Sequence, residues 1–156
     1  MNDINFFFEA IQSGEKDRVE VLLKLHPELV NAKDARGFTP LIFASYFDKK
    51  DVVETLLDFN AEIDATDSSG NTALIGVAFK GNTDLATLLI KKGADVNAKN
   101  SLGITPLIFA AMYNQTGMVV LLLKHEADVT QKDNQGKTVL DYAKEKGFEA
   151  IVDLLK

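Results

Sequence analysis

The segment that decides the fold is TPLIFAS at Thr39–Ser45, because a near copy, TPLIFAA, follows at Thr105–Ala111. The two segments start 66 positions apart, and a weaker copy, TALIGVA, begins midway between them at Thr72. A further step of 33 residues reaches TVLDYAK, which begins at Thr138. Self-similarity at a fixed period of about 20 to 50 residues is the sequence signature of a stacked repeat architecture.

Other residues keep the same period, and each suits a turn or a helix. Glycines recur in steps of 33 from Gly37 to Gly136, and an Asp or Asn stands three residues before each of them. Such a D-x-x-G segment predicts a tight turn in which the glycine takes a positive φ. The Thr two residues after each glycine is a good helix N-cap, and Pro40 and Pro106 suit the first helical position. Each repeat is therefore predicted to be a turn followed by a short first helix and a second helix.

Between the two helices of each repeat stands a residue type that tolerates the left-handed backbone region. These residues are Asp48, Gly81, Asn114 and Gly147. The second helices are predicted around Asp51–Phe59, Asp84–Lys92, Gly117–His125 and Phe148–Lys156. The N-terminal segment follows the pattern with one additional residue in the loop His26–Asn31, so that five repeats account for the chain.

The D-x-x-G-x-T-P-L starts, together with GADVN at Gly93–Asn97, resemble the ankyrin repeat family at its 33-residue period. The resemblance implies an all-α solenoid of five helix-turn-helix repeats with β-turn or hairpin finger loops, forming a single domain over residues 1–156. The expected repeats are residues 1–33 as the N-terminal cap, 34–66, 67–99, 100–132, and 133–156 as the C-terminal cap. Charged residues replace apolar ones in the last repeat, as a cap in water requires, so we expect a complete protein or domain rather than a fragment of a longer array.

The sequence departs from the family pattern at the His that follows T-P-L, and the replacements are Ile42, Ile75, Ile108 and Asp141. The fingers are therefore expected to lack the hydrogen bonds that this His makes in the family. The three Ile side chains are expected to make apolar contacts between repeats instead.

Two further positions predict local weakness. Glu126 stands where Gly93 stands one repeat earlier, at a position that favours positive φ, so backbone strain is expected there. Gly76 lies inside a first helix at the position of Phe43 and Phe109. That helix is predicted to be weak, because glycine is about 1 kcal/mol less favourable than Ala inside a helix. The missing side chain is also predicted to leave room for neighbouring rings.

Composition excludes several functional classes. The net charge of −6 disfavours nucleic-acid or anionic-membrane binding as the main role, because both need a basic surface. The absence of cysteine excludes disulfides and thiolate chemistry. The N-terminus lacks the features of a signal peptide, and no apolar stretch approaches the ~18 residues of a membrane span. We therefore expect a cytoplasmic protein with neither nucleic acid nor membrane as partner.

Segments that suggest cofactor sites fit the repeat better. The GKT at Gly136–Thr138 lacks the upstream glycine of a phosphate-binding loop, because Gln131 occupies that place. The loops Asp64–Ser69 and Asp95–Asn100 lack the glycine and closing Glu of an EF-hand, so their acids are expected to bond to nearby backbone. With two His and no Cys, no zinc set or nucleophile–base motif is evident. We expect no catalytic residue, no metal and no cofactor, and hence no enzyme.

Function is therefore expected to reside in a surface. Successive helical residues are rotated by about 100°, so Tyr46 and Phe47 point away from the side of their helix that carries Leu41. The family resemblance assigns such positions, and the finger tips, to a concave recognition surface. The residues expected to bind a partner protein, in one groove across repeats 2 to 4, are Arg36, Phe38, Tyr46, Phe47, Ser69, Asn71, Phe79, Lys80, Leu102, Ile104, Met112 and Tyr113. The alternative for each is a place in the core between repeats.

The leading hypothesis is a protein–protein interaction module without catalysis, monomeric alone. Arg36 and Lys80 favour a partner with acidic groups at the rim of its apolar patch. One alternative is a regulatory or inhibitory subunit of one enzyme or toxin, whose contacts would be the same. Another is a self-assembling structural protein that uses its ends. The three rings Phe6–Phe8 either cover the end of the first repeat or expose a ring for end-to-end association.

Overall fold

The computed structural model describes residues 3–156, and this part of the chain has ten α-helices, one 3-10 helix and no β-strand. The 3-10 helix Pro27–Asn31 lies where the sequence predicted one additional residue. The α-helices are α1 (Asp3–Gln12), α2 (Lys16–Leu25), α3 (Pro40–Tyr46), α4 (Lys50–Asp58), α5 (Ala73–Lys80), α6 (Thr83–Lys91), α7 (Pro106–Met112), α8 (Thr116–Lys124), α9 (Val139–Lys146) and α10 (Glu149–Leu154). Odd-numbered helices are the first helices of the repeats, and even-numbered helices are the second helices.

The chain divides into two compact units. The first unit ends at Ala73, and the second unit runs from Leu74 to Lys156. In the first unit α1 packs on α2 and α3, and α3 packs on α4. In the second unit α7 packs on α8 and α9, and α9 packs on α10. Each unit is thus a stack of helix pairs, whereas a single domain over residues 1–156 stays a prediction.

The first helices α3, α7 and α9 begin at a Thr cap, as the sequence predicts. Thr39 Oγ1 accepts a hydrogen bond from the N–H of Ile42 at 3.1 Å, and Thr105 Oγ1 accepts one from Ile108 at 3.2 Å. These bonds satisfy N–H groups that have no partner inside the helix, and losing such a cap costs about 1 kcal/mol. Thr138 forms a reciprocal capping box with Asp141, so the GKT segment starts α9.

The residues between helices take the left-handed conformation that the sequence predicts. Asp48 has φ 58° and Asn114 has φ 56°, and Gly147 lies in the same region at φ 69°. Glu126 is also left-handed, with φ 63°, which confirms the predicted strain, because a Cβ is unfavourable there. The second helices α4, α6 and α8 begin and end one residue earlier than predicted, and α10 begins one residue later.

The core of each unit is built from side chains that recur at the repeat period. Ala44 and Leu56 are fully buried in the first unit, and Ala110 and Leu122, two periods later, are fully buried in the second. The three Ile residues that replace the family His are buried as well: Ile42, Ile75 and Ile108. Their apolar contacts between repeats stay a prediction.

At the N-terminal end, Phe7 and Phe8 are buried while Phe6 is exposed. Two of the three rings are therefore packed in the interior, and Phe8 contacts Phe43 of the second repeat. That the rings cover the end of the first repeat stays a prediction. End-to-end association through Phe6 is left as a prediction.

Candidate functional site

The fingers are the turns that precede the first helices: residues 34–38, 67–71, 100–104 and 133–137. Asp34 Oδ1 accepts hydrogen bonds from the N–H groups of Arg36 at 2.9 Å and Phe38 at 3.0 Å, while Gly37 N–H donates to the Asp34 carbonyl. The same pattern recurs at Asp67, Asn100 and Asp133. The opening Asp or Asn thus holds each finger closed, in the absence of the family His.

Hydrogen bonds join neighbouring fingers within each unit. In the first unit, Ser68 Oγ donates to the carbonyl oxygen of Arg36 at 3.2 Å. In the second unit, Asn134 N–H donates to the carbonyl of Leu102, and its Nδ2 donates to the carbonyl of Ser101, both at 2.9 Å. The finger tips within each unit are therefore held in place relative to one another.

The Arg36 side chain is held by contacts within its own repeat. Its guanidinium Nη2 lies 2.7 Å from Asp34 Oδ2, and its Cζ lies 5.0 Å from the ring centre of Phe38 and 5.1 Å from that of Phe43. Burial raises the pKa of Asp34, but hydrogen bonds from the Arg36 side chain and from backbone N–H groups outweigh this, so its pKa lies below the usual value. Since Asp34 balances its charge, Arg36 adds less attraction for a partner's acids than the sequence suggested.

Four rings of the first unit form the first ring cluster: Phe8, Phe43, Phe47 and Tyr46. The ring centres of Phe8 and Phe43 are 5.1 Å apart, those of Phe43 and Phe47 are 4.8 Å apart, and those of Phe47 and Tyr46 are 5.2 Å apart. Phe8 and Phe43 are buried, Phe47 is half-buried, and Tyr46 is 62% exposed at the end of the row. Buried rings thus fix the position of an exposed one.

A cleft of about 410 Å³ adjoins the first ring cluster, between α1 and the first finger. Phe8 and Phe43 supply its apolar lining, and Glu9, Gln12 and Arg36 supply polar groups. An apolar centre with a polar rim is the usual construction of a recognition surface.

Three rings of the second unit form the second ring cluster: Phe79, Phe109 and Tyr113. The ring centres of Phe79 and Tyr113 are 4.5 Å apart, and Phe109 lies 5.9 Å from Phe79 and 6.0 Å from Tyr113. Phe79 is 42% exposed and Tyr113 is 49% exposed. Leu102, at the tip of its finger, is also exposed.

Most of the predicted site residues reach the surface, and one does not. Ile104 is only 6% exposed, so the expectation of a surface role is wrong for this residue. Ile104 closes its finger and packs inward, which is the core alternative. Ser69 and Lys80 are exposed, and Phe38, Asn71 and Met112 are half-buried. A single groove across repeats 2 to 4 stays a prediction.

Sequence reasoning missed the rings that support the exposed ones. Phe43 and Phe109 each anchor a ring cluster, and they occupy the same position in repeats 2 and 4. The recurrence of an aromatic residue at this position of the repeat is the sequence signal that could have identified Phe43 and Phe109.

Neither a metal-binding cluster nor a membrane-spanning helix is found in the described residues. In residues 3–156, no three His, Cys, Asp or Glu side chains are grouped so as to hold a metal ion. No helix in the described part of the chain is long and apolar enough to cross a membrane. Asp67 and Asp95 accept hydrogen bonds from nearby backbone N–H groups, which confirms the expectation for the two acidic loops. The absence of metal, cofactor and catalysis stays a prediction.

Stacked helix pairs, Asp- or Asn-closed fingers and Thr-capped first helices define a helical repeat protein. A family model described as "Ankyrin repeats (3 copies)" matches residues 7–100 and 77–156, so the chain belongs to the ankyrin repeat family. The resemblance and the all-helical fold class are thereby confirmed. Ankyrin repeats are generally protein–protein interaction modules, and the family is typically non-enzymatic.

One similar protein is the DNA-binding protein RFXANK of Homo sapiens. The two sequences are 45% identical over 49 residues, which are 31% of this chain and 19% of the human protein. The aligned stretch is therefore only about a fifth of the human protein.

Proposed function

We propose that this chain is a non-catalytic protein-binding module that contacts its partner through the fingers and the exposed rings of its first helices. The observation that carries the proposal is that Tyr46, Phe79 and Tyr113 are all substantially exposed, although each is held by an edge-to-face contact with another ring. Aromatic anchors of this kind contribute about 2 kcal/mol or more each when they are binding hot spots. Rings already fixed in place lose little conformational freedom on binding.

The chemistry of these surfaces favours another protein as the partner. The exposed rings of each unit, and Leu102 in the second unit, are apolar groups accessible at the surface, which suits a folded surface or an extended peptide. Lys80, next to Phe79 in α5, favours acidic groups near the partner's apolar patch. Arg36 attracts such acidic groups less strongly than its charge alone suggests, because Asp34 already pairs with it.

Substitution of the exposed rings tests the proposal. We expect Tyr46→Ala, Phe79→Ala and Tyr113→Ala, made singly and together, to weaken capture of a partner from the source cell while cooperative unfolding is retained. The matched control is the pair Val21→Ala and Val120→Ala, which removes exposed apolar side chains from second helices α2 and α8. An equal loss of partner capture in the control, or intact capture by the triple variant, would instead place the binding site on the second helices or at the ends.

A regulatory or inhibitory subunit is the first alternative, since the same contacts would serve it. An activity assay on the captured partner, with and without this chain, decides between the two. A change in turnover that follows occupancy identifies an inhibitor or activator, and unchanged turnover identifies a scaffold.

A self-assembling structural protein is the second alternative, for which Phe6 is the exposed N-terminal ring. We propose that the chain is monomeric alone. Light scattering of wild type and Phe6→Ala across a concentration series tests this. A mass that rises with concentration for wild type, and not for Phe6→Ala, would contradict it.

We propose that nucleic acid is not the partner and that the chain is cytoplasmic. The net charge of −6 opposes association with phosphate backbones. The likeness to a protein named DNA-binding makes the experiment worthwhile. We expect no change in the fluorescence anisotropy of labelled duplex DNA at low salt, and saturable binding that weakens with salt would contradict the proposal.

A further inference from the structure

The cleft between α1 and the first finger has a polar side that the exposed rings do not account for. On α1, Phe8, Glu9 and Gln12 line it, and at about 100° per residue the three lie within about 100° of one another around the helix. On the finger, Ala35 and Arg36 line it. Its volume of about 410 Å³ is near the lower end of the range for ligand pockets, about 300–1,000 Å³. The cleft therefore suits a single side chain of a partner rather than a whole helix.

The cleft carries one negative charge that is not balanced. Its charged lining residues are Glu9, Asp34 and Arg36, and the Arg36 guanidinium pairs with Asp34 at 2.7 Å. The Glu9 side chain is exposed, and within residues 3–156 no hydrogen bond or ion pair holds its carboxylate. By contrast, Glu15 at the start of α2 lies 3.2 Å from Arg18. Two carboxylates and one guanidinium leave a local charge of −1, which is complementary to a cation.

The same cleft already holds one guanidinium of this chain. Arg36 Cζ lies 5.1 Å from the ring centre of Phe43, and its Nε and Nη2 donate to Asp34 Oδ2 at 3.0 and 2.7 Å. Phe8 and Glu9 bring a second ring and a second carboxylate to the cleft. A guanidinium is planar, donates to carboxylates as a rigid fork, stacks on aromatic faces and is weakly hydrated. An incoming guanidinium would therefore find the two kinds of contact that hold Arg36.

We propose that this cleft binds one arginine side chain of the partner protein. The Glu9 carboxylate accepts hydrogen bonds from the guanidinium, Gln12 Oε1 accepts another, and Phe8 packs against the aliphatic stem. Lysine is the weaker occupant, because its ammonium is a strongly hydrated point charge without the planar fork. This inference rests on the proposed function and deepens it, because it names the side chain that the first unit recognises.

The experiment selects a displayed library of random peptides on the immobilised full chain and, in parallel, on its Glu9→Gln variant. We expect the peptides that are enriched on wild type over the variant to share an arginine. Synthetic versions are then titrated by fluorescence anisotropy. Glu9→Gln should weaken their binding by about tenfold, and Gln12→Ala by about threefold. The matched control is Glu54→Gln, which changes the net charge equally by removing an exposed carboxylate of α4 outside the cleft, and it should leave the affinity unchanged.

A second measurement on wild type replaces the arginine of each peptide by lysine, which should weaken binding severalfold. Equal affinity of the lysine version, or an enriched set without arginine, would overturn the proposal. Circular dichroism checks that Glu9→Gln folds, and should it unfold, the exchange of arginine for lysine in the peptide carries the test.

The outcomes separate this inference from the proposed function. If the peptides bind Glu9→Gln and Gln12→Ala as tightly as wild type but lose affinity for Tyr46→Ala, the arginine site is refuted and the binding surface holds. If they respond neither to the cleft variants nor to substitution of the exposed rings, both are refuted.

Discussion

The hydrogen bond between Tyr142 and Asp133 makes the sharpest prediction about stability. The Tyr142 hydroxyl donates to Asp133 Oδ2, while the N–H groups of Gln135 and Lys137 donate to Oδ1 at 2.9 and 3.0 Å. Both Asp133 and Tyr142 are buried. Hydrogen bonds to charged groups contribute about 1.5–3 kcal/mol, and the Tyr142→Phe variant leaves the carboxylate buried without this donor. We expect Tyr142→Phe to lower the free energy of unfolding by about 2 kcal/mol near pH 7.

The pH dependence of this loss has a definite sign. Burial raises the pKa of Asp133, but hydrogen bonds from Tyr142 and two N–H groups, with the charge of Lys137, outweigh it and lower the pKa overall. A lowered folded pKa stabilises the protein above the unfolded value of about 3.9, and that stabilisation is lost as the pH falls through the folded value. Tyr142→Phe removes part of this stabilisation by Asp133. The difference in free energy of unfolding between variant and wild type should therefore shrink below about pH 4.

At high pH the tyrosine itself titrates. Burial and the bond to Asp133 raise the pKa of Tyr142 from 10.0 to about 12. A raised folded pKa gives stability that is present below the unfolded value and lost as the pH rises through the folded value. Wild type should therefore lose about 2 kcal/mol between pH 10 and 12, and Tyr142→Phe should not lose this part.

Urea unfolding followed by circular dichroism, at low, neutral and high pH, measures both effects. The matched control is Tyr113→Phe, whose hydroxyl lies on an exposed ring and whose loss should change stability by less than about 0.5 kcal/mol. A Tyr142→Phe variant as stable as wild type at pH 7 would refute the reasoning. A difference in free energy of unfolding between variant and wild type that is the same at every pH would refute the role given to the charges of Asp133 and Tyr142.

Three other outcomes are expected. Gly76→Ala should stabilise the chain by about 1 kcal/mol, because Ala is more favourable than Gly inside a helix and the space around position 76 is open. In wild type, the amides of residues 73–79 should exchange with solvent before those of residues 107–111, and equal protection of the two segments would count against this. Glu126→Gly should stabilise by about 1 kcal/mol by relieving the left-handed strain, and a lower urea midpoint would contradict it. Neither Zn²⁺, Ca²⁺ nor ATP at about 1 mM should raise the melting temperature, and a clear rise with any of them would show a missed site.

The period could predict the helices and turns because each repeated residue meets a local requirement. Thr39 caps a helix, and Asp48 takes a left-handed conformation, with contacts only a few residues away. The exact helix boundaries were harder to predict, because neighbouring polar residues can each serve as the N-cap. Asn82 Oδ1 accepts from the N–H of Leu85 at 3.1 Å, so α6 starts at Thr83 rather than at Asp84.

The site was predictable as far as helix geometry determines it. The rotation of about 100° per residue placed Tyr46, Phe79 and Tyr113 on exposed faces. The orientations of Ile104 and Arg36 depend on how the fingers fold. The turn directs the Ile104 side chain inward and pairs the Arg36 side chain with Asp34. Periodicity alone does not set these directions.

Hydroxyl-radical footprinting of the full chain, alone and with its captured partner, tests the central claim most directly. The account predicts that oxidation of Tyr46, Phe79 and Tyr113 falls severalfold in the complex. It also predicts that the exposed Val21 and Leu25 of α2 keep their rate. Protection of α2 with unchanged oxidation of the three rings would contradict the account.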